Sequence, residues 1–438
     1  MHKMAPSARA VRSHRDPVVE PSKPRLLKLL GPGLVTGASD DDPSGIATYS
    51  QAGAQFGYAA SWSLVLTYPL MVAIQVISAR VGRTTGHGIA GNVCRCYRPW
   101  VGYSITVPLL VANVINVDAD LGAMGDALKL LIGGAALIYV IVFGAICIAL
   151  QVLLAYKRYV AVLKWLALAL FSYVATLFVV KVDWQALGES IVLPGFIWDP
   201  AYFSIVVAIF GTTISPYLFF WQASQEAEDL KEKPRKEPLI QAPEEAKPAH
   251  ERIQIDTLFG MAVSNVVGLA IMTTTAATLH PAGITNIQSS VDAAKALEPI
   301  AGPFAKIIFA IGIIGTGLLA VPVLAGSAAY AVGEAAKWPV GLSREPREAK
   351  AFYLTVSLAT LIGVGLNFTP IDPIRALVWS AVINGVVAVP VMVILMLLAS
   401  ESKIMKQFVI GSGLKVLGWL ATGTMAAAVI GMIVSAIV

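Results

Sequence analysis

The chain is dominated by long apolar runs, each close to the length that crosses a lipid bilayer. Residues 135–154 and 166–180 are two examples that contain no charged side chain. About 20 residues of helix span the hydrocarbon core, and a backbone in lipid must pair its polar groups within its own segment. A transmembrane β-barrel would instead show shorter, alternating segments. The sequence therefore predicts an all-α polytopic membrane protein.

Hydropathy along the chain predicts eleven transmembrane spans. Only 13% of the residues are charged, whereas a soluble globular protein carries about 25%. The first ten spans form two halves of five, at 29–180 and 200–399, and the eleventh lies at 415–437. The predicted spans lie at 29–54, 58–79, 100–131, 134–155, 159–180, 200–223, 254–278, 303–332, 351–368, 374–399 and 415–437.

Lysine and arginine predict the orientation. If the N-terminus is cytoplasmic, most of the 32 basic residues fall in cytoplasmic segments, as the positive-inside rule requires. The exceptions are Lys129, Lys164, Lys181, Lys295, Lys306 and Arg375. An odd number of spans then places the C-terminus outside. We expect a multi-pass protein of the plasma (inner) membrane.

Two segments are polar enough to lie outside the bilayer. Residues 1–28 are basic and lack the apolar core of a signal peptide, which predicts a disordered cytoplasmic tail. Residues 226–252 are rich in Glu, Lys and Pro, a composition that predicts a flexible cytoplasmic loop.

The first span contains the most unusual cluster of residues in the chain. Asp40, Asp41 and Asp42 precede Pro43 and Gly45 inside an apolar segment. Proline and glycine disfavour a regular helix, and a broken helix at membrane depth must line a cavity or be buried in protein. Freed carbonyls beside carboxylates suit a hard divalent cation. The alternative is a helix end at the interface, which the apolar residues on both sides disfavour.

The sixth span is interrupted in a similar way, by Thr212, Thr213, Ser215 and Pro216. A simple proline kink is the alternative, because Ser and Thr can satisfy the freed backbone groups. However, spans 1 and 6 are corresponding members of the two halves. Matching interruptions in corresponding spans indicate the binding site of an inverted-repeat transporter.

Several motifs resemble the Nramp family of divalent metal transporters. They are Gly-Pro-Gly at 31–33, Asp-Pro-Ser-Gly at 42–45, Gly-Ala-Gln-Phe-Gly-Tyr at 53–58, and the end of the second span at 75–86. The resemblance covers roughly residues 29–400. It implies a LeuT-type fold with 11 transmembrane helices, a 5+5 inverted repeat plus one additional helix.

Departures from the family pattern lie at the metal site. The family's metal-binding Asn falls on Gly45, its sixth-span Met on Ser215, and its two sixth-span histidines on Tyr217 and Gln222. Loss of the soft thioether favours metals that prefer oxygen, such as Mg²⁺, Ca²⁺ and Mn²⁺. A site enlarged by the smaller residues could hold Mg²⁺ with its waters.

The acidic pair that the family carries in the third span aligns near Ala119 and Gly122, with Asp118 and Asp120 beside those positions. Proton relays use His or intramembrane carboxylates, and in this chain the family's histidines are replaced and its acidic pair is displaced. In these features the chain resembles the Nramp-related magnesium transporters, in which proton coupling is lost. The transported ion is expected to be Mg²⁺ or Mn²⁺, with no resident cofactor.

These residues predict alternating access around a midplane site. Asp42 is the principal carboxylate ligand, Asp41 adds charge through water or along the entry path, and Gly45 leaves room for water. Thr212 supplies a backbone carbonyl and Ser215 a hydroxyl. Further candidates are Thr213, Asn384, Asp118 and Asp120. For Asn384, a helix–helix hydrogen bond is the favoured interpretation.

Three alternatives remain open. One is a proton-coupled Mn²⁺/Fe²⁺ importer, and another is an amino-acid or organic-cation carrier on the same fold. The third is a Mg²⁺-dependent integral-membrane transferase, although the sequence shows no second acidic cluster to face Asp40–Asp42. Otherwise the chain is expected not to be an enzyme. The expected partners are the metal ion and the lipid bilayer, with no nucleic acid, and the expected state is a monomer.

Overall fold

The structure is a computed structural model that describes residues 36–37, 39–153, 171–232, 237–287 and 289–437. Over these ranges the regular secondary structure is helical, without a strand. The predicted tail at 1–28 and most of the predicted fifth span lie outside the described residues. The helices of the first half are α1 Pro43–Phe56, α2 Ser61–Thr85, α3 Ile89–Cys96, α4 Pro99–Ile132, α5 Ala136–Leu153, α6 Phe171–Thr176 and α7 Trp184–Val192.

The second half begins with a pair of helices separated by two residues. The helices that follow include the three longest of this half. In order they are α8 Pro200–Thr213, α9 Pro216–Glu232, α10 Ala246–Thr278, α11 Ser290–Ala294, α12 Glu298–Ala301, α13 Ala305–Ala335, α14 Lys350–Leu366, α15 Pro373–Ser400, α16 Ser402–Met405 and α17 Ser412–Ser435.

Helix starts follow from proline and aspartate in the sequence. Pro43, Pro200 and Pro373 each occupy the first turn of a helix, where a missing N–H costs nothing. The preceding Asp side chain accepts hydrogen bonds from the free N–H groups of each first turn. These pairs set the boundaries of α1, α8 and α15.

Apolar side chains cover the outside of the helices, whereas polar ones lie inside. Leu354, Leu361 and Ile362 of α14 are more than half exposed, while Asp42, Asn116 and many other polar residues are buried. Eight helical stretches of the described chain are long and apolar enough to cross a membrane, and two of them, Pro43–Thr85 and Pro200–Leu230, each contain two helices. This is the arrangement of a polytopic membrane protein.

The structure describes 226–232 and 237–252 of the segment predicted as a flexible loop. Helix α9 extends to Glu232 and α10 begins at Ala246. Arg252 Nη2 lies 2.5 Å from Glu226 Oε2, and Arg83 Nη2 lies 2.6 Å from Glu245 Oε2. Composition alone reports charges but not their partners, and here the charges pair with each other. Arg83, Arg95, Lys337 and Arg344 lie at this same end of the helices, which we call the basic face.

Candidate metal site between two interrupted spans

The first interruption lies at Asp41 and Asp42. Ser39 and Asp40 are helical, Asp41 lies in a bend, and the span resumes as helix α1 at Pro43. Asp42 has an extended backbone with φ −69° and ψ 169°. The residue before a proline is biased away from the helical region, so the Asp-Pro step explains where the helix stops.

The carboxylate of Asp42 connects three parts of the chain. Its Oδ1 accepts hydrogen bonds from the Ser44 hydroxyl at 2.6 Å and the Gly45 N–H at 2.7 Å, which caps α1. Its Oδ2 accepts from Asn116 Nδ2 of α4 at 3.1 Å and lies 3.3 Å from the Tyr217 hydroxyl of α9. The side chain is 1% exposed, so these donors fix its orientation.

The second interruption separates α8 from α9. Helix α8 ends at Thr213, Ile214 adopts φ −113° and ψ 54°, and Pro216 starts α9. The Ser215 hydroxyl donates to the backbone oxygens of Gly211 and Thr212, both at 2.7 Å. Two predicted ligands, the Thr212 carbonyl and the Ser215 hydroxyl, are therefore hydrogen-bonded to each other. The Thr213 hydroxyl donates to Ile209 O of its own helix at 2.8 Å.

Gly45 brings the two interruptions into contact. A methyl group at Gly45 would lie 3.1 Å from Thr212 Oγ1, 3.3 Å from Asp40 O and 3.5 Å from Asp42 Oδ1. The interpretation that Gly45 leaves space for water differs from this arrangement, because Thr212 fills that space. Glycine here permits the close approach of the two spans instead.

Asp40 and Asp41 share one hydroxyl group. Ser264 of α10 has its Oγ 2.6 Å from Asp40 Oδ2 and 3.0 Å from Asp41 Oδ1, and a hydroxyl has a single proton to donate. Asp40 Oδ1 has no hydrogen-bond partner among the described residues. A bound cation would stabilise these three buried carboxylates in their ionised form.

The additional candidates differ in whether their polar atoms have hydrogen-bond partners in the described chain. Asp120 is fully buried near Asp42 and the Ser44 N–H, yet neither of its oxygens has a hydrogen-bond partner within the described part of the chain. Asp118 is half-buried elsewhere and accepts from Asn367 Nδ2 at 2.7 Å. Both polar atoms of Asn384 likewise lack a partner in the described chain, in contrast to the favoured helix–helix hydrogen bond. Its neighbour Gly385 packs on Gly211.

Sequence reasoning did not assign three residues that the structure places at the site. Asn116 of α4 donates to Asp42 itself. Tyr217 stands where the family has a histidine, and its hydroxyl also donates toward Ser39 O at 3.0 Å. Ser264 gave no signal, because a lone serine in an apolar helix is common. For Tyr217, the position directly after Pro216 was the available signal.

The atoms around Asp42 that could ligate a metal ion are oxygens. Among the described residues, no group of three or more His, Cys, Asp and Glu side chains is placed to hold a metal ion. A cation here would therefore also need carbonyl, hydroxyl, amide or water oxygens. Cys94, Cys96 and Cys147 are free, and burial raises the pKa of the Cys94 thiol, which disfavours the metal-binding thiolate.

Comparison with known proteins identifies the family. The family model described as natural resistance-associated macrophage protein-like matches residues 33–435. The chain belongs to the Nramp family. This Nramp chain is 27% identical over 377 residues to the divalent metal cation transporter MntH of Acidiphilium cryptum, covering 82% of this chain and 79% of that protein. It is 26% identical over 400 residues to MntH of Caldanaerobacter subterraneus, covering 88% and 87%.

Solved structures agree on the fold of this Nramp chain. The manganese transporter of Eremococcus coleocola, in complex with an aromatic bis-isothiourea compound, is similar with a TM-score of 0.72, 16% identity, and coverage of 95% of this chain and 88% of that one. MhsT in complex with L-phenylalanine is similar with a TM-score of 0.58, 15% identity, and coverage of 92% and 98%. The all-α LeuT-type architecture predicted from the sequence is thereby confirmed.

Proposed function

We propose that this chain carries a divalent metal cation across a membrane by alternating access to the site around Asp42. The observation that carries the proposal is the contact of Gly45 with Thr212 beside the buried Asp42 carboxylate. Two interrupted spans bring carboxylate, carbonyl and hydroxyl oxygens together inside an apolar bundle. Ionisable residues in such a place are costly and mark ion pathways. The relatives, which are named as metal cation transporters, support transport over enzymatic activity.

Asp42 is the principal ligand in this proposal, and Asp40 and Asp41 supply further negative charge. Thr212 and Ser215 contribute oxygens once the ion displaces the hydrogen bond between them. Asp120 and Asn384 have polar atoms without a hydrogen-bond partner in the described part of the chain, and both lie on helices that pack against α1. The residues around Asp42 are buried, so water and ion enter only when the helices move apart.

We further propose that the ion is Mg²⁺ or Mn²⁺ and that proton coupling is absent. The support is the set of oxygen donors, which suits both ions, and the replacement of the family's histidines by Tyr217 and Gln222. The distribution of basic residues supports a cytoplasmic N-terminus in the plasma membrane and an external C-terminus. An inside-negative potential then drives uptake with about 2.3 kcal/mol per charge per 100 mV.

A proton-coupled manganese importer is the second candidate. The observation that favours it is Asp120, a buried acid next to Asp42 whose carboxylate oxygens have no hydrogen-bond partner among the residues that the structure describes, since intramembrane carboxylates serve as proton relays. The similar Eremococcus coleocola protein is named a manganese transporter. The two candidates differ in ion selectivity and in proton movement, which can be measured in one preparation.

The test is uptake of Mg²⁺, Mn²⁺, Ca²⁺ and Fe²⁺ into proteoliposomes at two pH values, with an internal pH dye. Wild-type protein should transport Mg²⁺ or Mn²⁺ without acidification, and Asp42→Ala should abolish uptake. Asp183→Asn is the matched control, because Asp183 is an exposed helix cap and Asn caps equally well. Uptake by Asp42→Ala at the wild-type rate would refute the site. Mn²⁺-only uptake with acidification would establish the second candidate.

A further inference from the structure

Two carboxylates cross-link the helices at the basic face. Glu228 of α9, which is 7% exposed, accepts from the Ser343 N–H at 2.6 Å, the Leu342 N–H at 3.2 Å and the Tyr330 hydroxyl of α13. Thus a carboxylate of the interrupted sixth span binds the eighth span and the connection that follows it. Backbone and phenol donors together satisfy this buried charge.

Glu334 of α13 makes the reciprocal connection. Its carboxylate accepts from the Gly88 N–H at 3.0 Å and the Gly91 N–H at 2.9 Å, and from the Ser224 hydroxyl of α9 at 3.3 Å. Glu228 of α9 therefore accepts a hydrogen bond from α13, and Glu334 of α13 accepts one from α9. A third contact of this interface lies at the level of the site, where the Ser327 hydroxyl donates to Tyr217 O at 2.8 Å.

The opposite side of α9 packs in a different way. A methyl group at Gly82 of α2 would overlap the backbone of Ala223, and the Ser78 hydroxyl donates to Phe219 O at 2.5 Å. The two helix backbones are in close contact here, and the hydrogen bond from Ser78 is buried between them. By contrast, Glu334 lines an open cavity of about 400 Å³ with Arg95, Lys337 and Arg344, so water can take over its hydrogen bonds.

We infer that Glu228 and Glu334 are the gate residues of this transporter, and that its site opens to the basic face between α9 and α13. The inference rests on the proposed function, because an ion must leave Asp42 past the interrupted sixth span, which carries Thr212, Ser215 and Tyr217. The interface between α9 and α13, whose carboxylate contacts water can replace, separates. Helices α2 and α9 move together as one body. Helix interfaces of this kind switch between discrete arrangements.

The test measures the reaction of a cysteine at Ser327 with a small thiol reagent. Cys94, Cys96 and Cys147 are first replaced by Ser, and Ser327→Cys is introduced at the interface of α9 and α13. Glu228→Gln and Glu334→Gln should each accelerate labelling by about tenfold, the effect of weakening a hydrogen bond to a charged group. Tyr330→Phe removes one donor and should act in the same direction with a smaller factor.

The matched control is Glu348→Gln, since Glu348 is an exposed carboxylate beyond the same helix. Unchanged labelling in folded Glu228→Gln and Glu334→Gln protein would overturn the inference, as would equal acceleration by the control. Should a Glu variant fail to fold, Tyr330→Phe decides in its place. Mn²⁺ binding to the Ser327→Cys protein is measured in parallel by calorimetry. Binding without a labelling effect refutes the gate alone, and a labelling effect without binding refutes the proposed function alone.

Discussion

The Tyr217 hydroxyl lies 3.3 Å from Asp42 Oδ2 and 3.0 Å from the backbone oxygen of Ser39. A single side chain of the sixth span therefore contacts both sides of the interruption in the first span. The phenol has one proton, so it holds either the carboxylate or the carbonyl at a time. Such a donor orients a metal ligand without binding the ion itself.

Tyr217→Phe should weaken metal binding while preserving the fold. The variant removes the hydroxyl from Asp42 and Ser39 but keeps the buried ring. Loss of a partner that orients a ligand typically lowers metal affinity by about tenfold to a hundredfold. Calorimetry with Mn²⁺ and Mg²⁺ measures the change. Tyr139→Phe is the control, because the Tyr139 hydroxyl donates to Gly133 O far from the site in sequence; equal losses in both variants would contradict the assigned role.

Gly45→Ala should stabilise the protein less than the same substitution at a helical glycine with open space around it. Replacing an exposed helical Gly by Ala stabilises by about 0.5–1 kcal/mol, and Gly423 of α17 has no atom within 4 Å of an added methyl group. At Gly45 the methyl group would lie 3.1 Å from Thr212 Oγ1, so compression offsets that gain and displaces Thr212.

Thermal unfolding in detergent compares the two glycine variants. We expect a higher melting temperature for Gly423→Ala, and an unchanged or lower one with weaker Mn²⁺ binding for Gly45→Ala. A stabilised Gly45→Ala protein with wild-type affinity would show that the close contact of the two spans has no part in the site.

The positions of the spans could be predicted because their signals are local. The predicted span at 374–399 corresponds to α15 Pro373–Ser400, and that at 100–131 to α4 Pro99–Ile132. Apolar length and a proline in the first turn, which follows Asp372 in α15 and Arg98 in α4, suffice for such boundaries. The helical structure within 226–232 and 246–252 could not be predicted, because it depends on contacts such as that of Glu226 with Arg252, and composition contains no information about such contacts.

The site could be predicted only in part, for the same reason. The Asp-Pro step of the first span and Ser215-Pro216 of the sixth are local interruptions that the sequence displays. The donors that complete the site come from elsewhere in the chain, as Asn116 and Ser264 do. Likewise, the sequence suggested empty space at Gly45, whereas packing of the two spans fills that space with Thr212.

Asp120→Asn should stabilise the metal-free protein and reduce the effect of metal. A buried carboxylate without a hydrogen-bond partner is unfavourable by roughly 1–3 kcal/mol or more, and Asp120 lies near a second carboxylate, Asp42. Removing the charge should therefore raise the melting temperature without metal. It should also shrink the rise that Mn²⁺ produces, because the cation then compensates less negative charge.

Asp118→Asn provides the comparison for Asp120. Asp118 accepts from Asn367 Nδ2, and an Asn oxygen can accept the same bond. We expect its melting temperature to respond to Mn²⁺ as wild type does. If Asp120→Asn also responds as wild type does, Asp120 does not contribute to the charge that holds the ion.

Glu226→Gln should destabilise the protein much more than loss of an exposed ion pair. The Glu226 side chain is 1% exposed and that of Arg252 is 23% exposed, with 2.5 Å between Oε2 and Nη2. Removing one partner of a buried pair leaves the other charge poorly solvated; after allowance for the partial exposure of Arg252, we expect a loss of about 2 kcal/mol.

Asp292→Asn is the control for this pair, because Asp292 and Lys295 are exposed by 25% and 40% and lie within one turn. Exposed pairs contribute about 0–1 kcal/mol. Reversible unfolding in mixed detergent measures both variants. Since Glu226 and Arg252 join the end of the sixth span to the start of the seventh, a large loss confined to Glu226→Gln would mean that this segment is held as a folded part of the bundle. Equal small losses would favour the flexible loop that composition predicts.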